Sequence, residues 1–163
     1  MSFINTLLHN YQDHMARQRN LPFLRATMAA CAMVASADGD VSFAERVRLD
    51  QILETLDRLK VFDPHEGVNL FDEFTDAILA HSEEGHALAM QALIDGTPEP
   101  PTRELLVRIC LAVSEMNAGP DGKKALADQI EIVTLCNRLG VDPRNCGLYV
   151  DDPDFPNSKP EAS

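Results

Sequence analysis

Residues 26 to 37 read Ala-Thr-Met-Ala-Ala-Cys-Ala-Met-Val-Ala-Ser-Ala, and this run constrains the fold more than any other segment. None of these residues is charged and most are small. A helix that is apolar all round belongs in an interior, and short side chains let its neighbours approach closely. The run therefore predicts a central helix that starts at Pro22, a favoured first-turn residue, and carries Leu24, Met28, Cys31 and Ala35 inward. It is not a membrane span, because no apolar run here approaches the roughly 18–20 residues that crossing a bilayer requires.

The remaining patterning is helical too, with no convincing strand. A first helix is expected over about Phe3 to Arg19. A third begins at Ser42, where Ser42 and Glu45 make the S-x-x-E pattern of a capping box, and its stripe is Leu49, Ile52, Leu53, Leu56 and Leu59. A fourth opens at Asp63-Pro64-His65-Glu66, with cap, first-turn proline and acidic residue in order, and turns Leu70, Phe71, Phe74 and Ile78 inward. A fifth covers about Glu83 to Asp95. Three prolines make residues 96–102 a loop, after which Thr102 caps a sixth helix with Leu105, Leu106, Ile109, Cys110 and Val113 inward. A seventh spans about Lys123 to Leu139 and stops at Gly140, and Asp142-Pro143 starts one short final turn. The fold class is thus all-α, a single bundle of about seven helices over residues 1–148. Residues 149–163 form an acidic tail, and its Asp/Pro/Ser-rich part from 151 onward has a disordered composition.

Charge narrows the function. There are 14 basic and 26 acidic residues, a net charge of −12. Such a chain repels phosphate backbones and anionic lipid, which argues against nucleic-acid partners and direct membrane insertion. It suits cations or a basic protein surface. The excess is uneven: residues 1–60 hold seven basic and seven acidic residues, and residues 61–163 hold seven and 19. No leader pattern precedes the first helix, and the four cysteines (Cys31, Cys110, Cys136, Cys146) form no C-x-x-C pair, as expected of reduced core thiols in a cytoplasmic protein. His81 and His86 are five apart, roughly 140° around a helix, a poor zinc pair. His9, His14 and His65 have the look of exposed helix residues. No nucleophile elbow, phosphate loop or zincin motif occurs, so a non-enzymatic role is expected.

Two segments resemble each other. Cys31 to Asp38-Gly39 leads into one helix, and Cys110 to Asp121-Gly122 leads into another, with about four extra residues in the second. Each Asp-Gly is followed seven positions later by an acid: Glu45 after Asp38, Asp128 after Asp121. Two such helix-loop-helix units would pack as a pseudo-symmetric pair with their junctions free to approach. The first junction reads Asp38-Gly39-Asp40-Val41-Ser42, a D-x-D-x-S alternation that can converge oxygen ligands on a hard cation such as Ca²⁺ or Mg²⁺, with Glu45 closing the site and Zn²⁺ ranked behind. It departs from a calcium loop of the EF-hand kind, having Phe43 at position six and Leu49 at position twelve. Turn chemistry and helix capping explain much of the same pattern without a metal. At the second junction Lys123 and Lys124 stand where further carboxylates would help.

With these residues in place, the chain resembles the TerB family of tellurite-resistance proteins. The resemblance rests on the opening Met1-Ser2-Phe3, the segment from Cys31 to Asp38-Gly39, Lys60-Val61-Phe62-Asp63, and Leu139-Gly140-Val141-Asp142-Pro143, and it covers about residues 1–148. It implies an all-helical bundle and a stress-response role without catalysis. It also implies cation binding at the acidic junctions (Asp38, Asp40, Glu45, Asp121 and Asp128 here). The implied partners are other Ter-type proteins, including calcium-binding ones and a membrane protein, which would hold a cytoplasmic chain at the periphery of the inner membrane. The family's second junction is rich in consecutive acids, which Lys123, Lys124, Ala125 and Leu126 largely replace. A metal-independent interaction module, docking through the acidic face, is the alternative expectation. Tellurite chemistry at the thiols is a third.

Overall fold

The structure is a computed structural model. It describes the backbone of residues 2–37, 39, 41–115 and 122–146, and the side chains of the same residues except 115 and 122–129. The expected tail at 149–163 lies outside the described residues. Among those residues there are six α-helices, one 3-10 turn and no strand: α1 Phe3–Ala35, α2 Phe43–Thr55, α3 Pro64–Ala80, α4 Ser82–Gly96, α5 Pro100–Glu115, α6 Gly122–Leu139 and a turn at Pro143–Cys146.

The expected central helix is the second half of α1. From Phe23 to Ala35 every residue but Arg25 is buried, and α3, α4, α5 and α6 all pack against this helix. Arg25 lies over the Phe74 ring, 5.8 Å from its centroid. The first two expected helices are one. Pro22 sits inside α1 at a level where the chain is still exposed, so the carbonyl it leaves without an N–H donor can be hydrated. On the inner side, α4 comes so close that a Cβ on Gly96 would collide with the Pro22 carbonyl oxygen and the Ala26 Cβ.

The other differences from expectation also concern helix ends. Helix α2 stops at Thr55, so Leu56 is its C-cap and Leu59 is buried in the turn beyond it. The apolar spacing continues because the turn is buried, not because the helix goes on. The 96–102 loop is shorter than expected. Helix α5 begins at Pro100, since prolines in a first turn lack only N–H groups that would have no helical partner. Thr102 is therefore not its cap, and its N–H donates to the Glu99 carbonyl at 3.1 Å.

The predicted caps at Ser42 and Asp63 form. Gly140 ends α6 with φ +68°, and the Val141 N–H donates to the Cys136 carbonyl at 2.9 Å, the six-to-one bond of a Schellman stop. Arg103 then ties three helix ends together. Its Nε donates to the Thr97 carbonyl at 2.8 Å and its Nη1 to the Leu139 carbonyl at 3.2 Å. Among the described residues, no helix is long and apolar enough to cross a membrane.

Candidate metal turn

The first junction is a tight turn between the buried half of α1 and the start of α2. Ser36 ends α1, and its N–H donates to the Ala32 carbonyl at 3.0 Å. Gly39 adopts φ +87°, a left-handed conformation that favours glycine over other residues, and its N–H donates to the Ser36 carbonyl at 2.9 Å. This is why glycine stands at position 39. Ser42 leads into α2 in extended conformation, and its hydroxyl makes two bonds to Glu45: Oγ accepts from the Glu45 N–H at 3.2 Å and donates to Glu45 Oε1 at 2.9 Å.

A capping acid normally stands in water. Glu45 does not: only 1% of it is exposed. Burying a carboxyl group is costly unless something compensates it, so its burial in the first turn of α2 is the most informative feature of the site. Ser36 is also buried, and its Oγ has no hydrogen-bond partner among the described residues. One turn along α2 lies Arg48, whose Nε is buried and likewise lacks a partner among those residues. Ser36 and Arg48 had no sequence signal, because each looks like an ordinary helix residue until the bundle closes over it.

Of the five acidic residues predicted to bind a cation, Glu45 alone has a described side chain. Asp38, Asp40 and Asp121 lie outside the described residues. Asp128 falls within α6, and its side chain lies outside them too. Among the described residues no three His, Cys, Asp or Glu side chains gather as a metal cluster. The donors that can be placed, a carboxyl and a hydroxyl, are hard oxygens of the kind Ca²⁺ and Mg²⁺ prefer. A separate open groove of about 470 Å³ between α1 and α3, lined by His14, Arg17, Leu21, Phe62, Leu70 and Glu73 among others, includes none of the five.

The repeat leaves one trace in the core. Cys31 and Cys110 hold matching positions in the two units, and both are buried. The neighbouring Cys31 thiol and burial push the Cys110 thiol well above its ordinary pKa. Burial raises Cys136 to about 11, and also raises Cys146. Reactive cysteines need the opposite environment. All four are buried, so all four should alkylate slowly at neutral pH in the native protein and quickly once it is unfolded in denaturant. Rapid native labelling of any one would reopen thiol chemistry. The histidines offer no better site. His86 Nδ1 lies 2.7 Å from the Ser82 carbonyl and Nε2 lies 3.8 Å from Glu131. Burial raises the Glu131 pKa, and His86 opposes the rise.

Comparison with known proteins agrees with the helical architecture. A family profile described as "Tellurite resistance protein TerB" matches residues 24–148. A relative named "Tellurium resistance protein TerB", from Alcaligenes sp, is 27% identical over 95 residues, which cover 58% of this chain and 78% of the relative. No solved structure matches the chain significantly.

Proposed function

The chain belongs to the TerB tellurite-resistance family, and from that membership we propose that it serves tellurite resistance by binding a divalent cation at its acidic interhelical turns. In this reading it is a non-enzymatic cytoplasmic protein that works in a complex with other Ter-type proteins, one of which is membrane-bound. The observation that carries the cation reading is the burial of Glu45 in the first turn of α2, a few residues after the Asp-Gly pair. A cation held by Glu45, with Asp38 and Asp40 as neighbours in sequence, would offset the desolvation of that carboxyl. Asp121 and Asp128 would add ligands from the second turn. Such a cation would lock α1 to α2 and set the acidic surface that partners meet. Ca²⁺ or Mg²⁺ suits these oxygens better than Zn²⁺, which favours sulfur and imidazole.

Arg48 favours a second reading. A guanidinium one turn from Glu45 can supply positive charge without a metal, leaving a structural turn on an acidic interaction module. Calorimetric titration of the chelator-treated full chain with Ca²⁺, Mg²⁺ and Zn²⁺ separates the two. Saturable heat with Ca²⁺ or Mg²⁺ is expected. No heat with any of the three, at about millimolar metal where weak calcium sites still fill, ends the cation reading and leaves the module.

A further inference from the structure

The first half of α1 behaves unlike the rest of the protein. Residues 3–15 are exposed on every face of the helix, although Phe3 (81%), Ile4 (65%), Leu7 (58%), Leu8 (53%), Tyr11 (62%) and Met15 (38%) are all large and apolar. A helix of this length with no packed face is marginal in water, and scattered exposed apolar residues are commonplace where a contiguous stripe is not. Ile4, Leu8, Tyr11 and Met15 follow one another at intervals of four, three and four, the spacing of a coiled-coil seam, and Leu7 borders that seam.

We propose that this stripe is a self-association surface, on which the same stripe of a second copy docks antiparallel to form a short two-stranded coiled coil. The area is sufficient. Taking a large apolar side chain as about 200 Å², the six exposed fractions leave roughly 700 Å² on one copy. Two stripes would supply about 1,400 Å², within the 1,200–2,000 Å² of standard specific interfaces. Charge selects the partner. The net −12 of the chain disfavours an anionic lipid surface, and an arm with so few charges offers little to a basic protein. Asp13 lies 3.5 Å from His9 of the same helix, and the Nε of Arg17 donates to the Val61 carbonyl of its own body at 2.9 Å. A second copy of the stripe matches both the apolarity and the near neutrality. Charge also sets the direction. All the acidic excess lies in residues 61–163, so parallel arms would bring two negative bodies together, whereas antiparallel arms of about 20 Å place them at opposite ends. The arrangement is two-fold symmetric and closed.

The test is the solution mass of the full chain by sedimentation equilibrium, up to about 100 µM, well above the roughly micromolar weak end for interfaces of this size. The expected result is twice the chain mass of 18.0 kDa, reverting to a single chain in the double variant Leu8→Glu, Tyr11→Glu. Both positions are exposed, so the helical circular dichroism of the body should be unchanged. A chain that stays monomeric throughout overturns the proposal. So does a dimer that survives both substitutions, or a monomer that instead co-floats with anionic vesicles.

Discussion

Gly96→Ala is expected to destabilise the protein by about 3 kcal/mol, at the upper end of what overpacking a well-filled core usually costs. For a chain of this size that is a loss of roughly 6–12 °C in melting temperature. The reason is what the added methyl would meet. Gly96 closes α4 directly against α1, and its Cβ would overlap the Pro22 carbonyl oxygen and approach the Ala26 Cβ to 2.5 Å. Neither neighbour can swing aside, since one is backbone and the other is a side chain with no rotamer. Relief therefore requires separating α1 from α4. Alanine's better helix propensity offsets little, because the residue is the last of its helix. Gly67→Ala supplies the contrast. Its Cβ would meet Leu53 Cδ2 at 2.6 Å, but that is the end of a flexible side chain. Position 67 is also inside α3, where replacing glycine gains up to about 1 kcal/mol, so this variant should stay within roughly 1 kcal/mol of the parent. Urea unfolding of the two variants beside the parent is the measurement. Equal stability of Gly96→Ala and the parent would mean that α1 and α4 are not held as closely as described.

What could be read from the sequence was mostly local. The capping box of Ser42 and Glu45, the cap at Asp63 and the stop at Gly140 each join groups two to five residues apart, so their spacing alone predicts the bonds that form. The small-residue run predicted the buried helix because few other environments suit it. Proline was where reading failed. Pro22, Pro100 and Pro101 all look like breaks, yet the first lies within a helix and the other two start one. The outcome depends on whether the carbonyl or N–H at issue meets water or falls at a terminus, and no local pattern states that. Leu56 and Leu59 failed for a related reason, since periodicity reports burial and a buried turn continues it. The candidate site divides along the same line. Asp-Gly pointed to a turn, and Gly39 makes it with a positive φ. The burial of Glu45, the enclosed hydroxyl of Ser36 and the placement of Arg48 follow from helices that meet only in three dimensions. The joint burial of Cys31 and Cys110 was half legible, because the weak repeat places them in register without saying what surrounds them.

Glu45→Gln is expected to weaken Ca²⁺ or Mg²⁺ binding at least about tenfold while leaving the metal-free fold intact, because calcium affinity is set largely by how many charged oxygens the site supplies. Glutamine keeps the acceptor that Oε1 offers Ser42 Oγ, and Ser42 Oγ can still accept from the backbone N–H at position 45, so the cap survives. Removing a buried carboxyl also removes a desolvation cost, and the metal-free variant should be no less stable than the parent. The cation-dependent part of stability is where the two must differ. At free metal a hundred times the parent's dissociation constant, linkage gives the parent about 2.7 kcal/mol and a tenfold weaker variant about 1.4 kcal/mol. The gap is some 3–5 °C in melting temperature at this chain length, and it vanishes in chelator. If Arg48 and the cap are instead the whole purpose of the turn, metal shifts neither melting curve. Any change in the variant then appears equally with and without chelator. A melting temperature that rises with added Ca²⁺ or Mg²⁺ by the same amount in both proteins would show a cation bound elsewhere, and would remove Glu45 from its ligands.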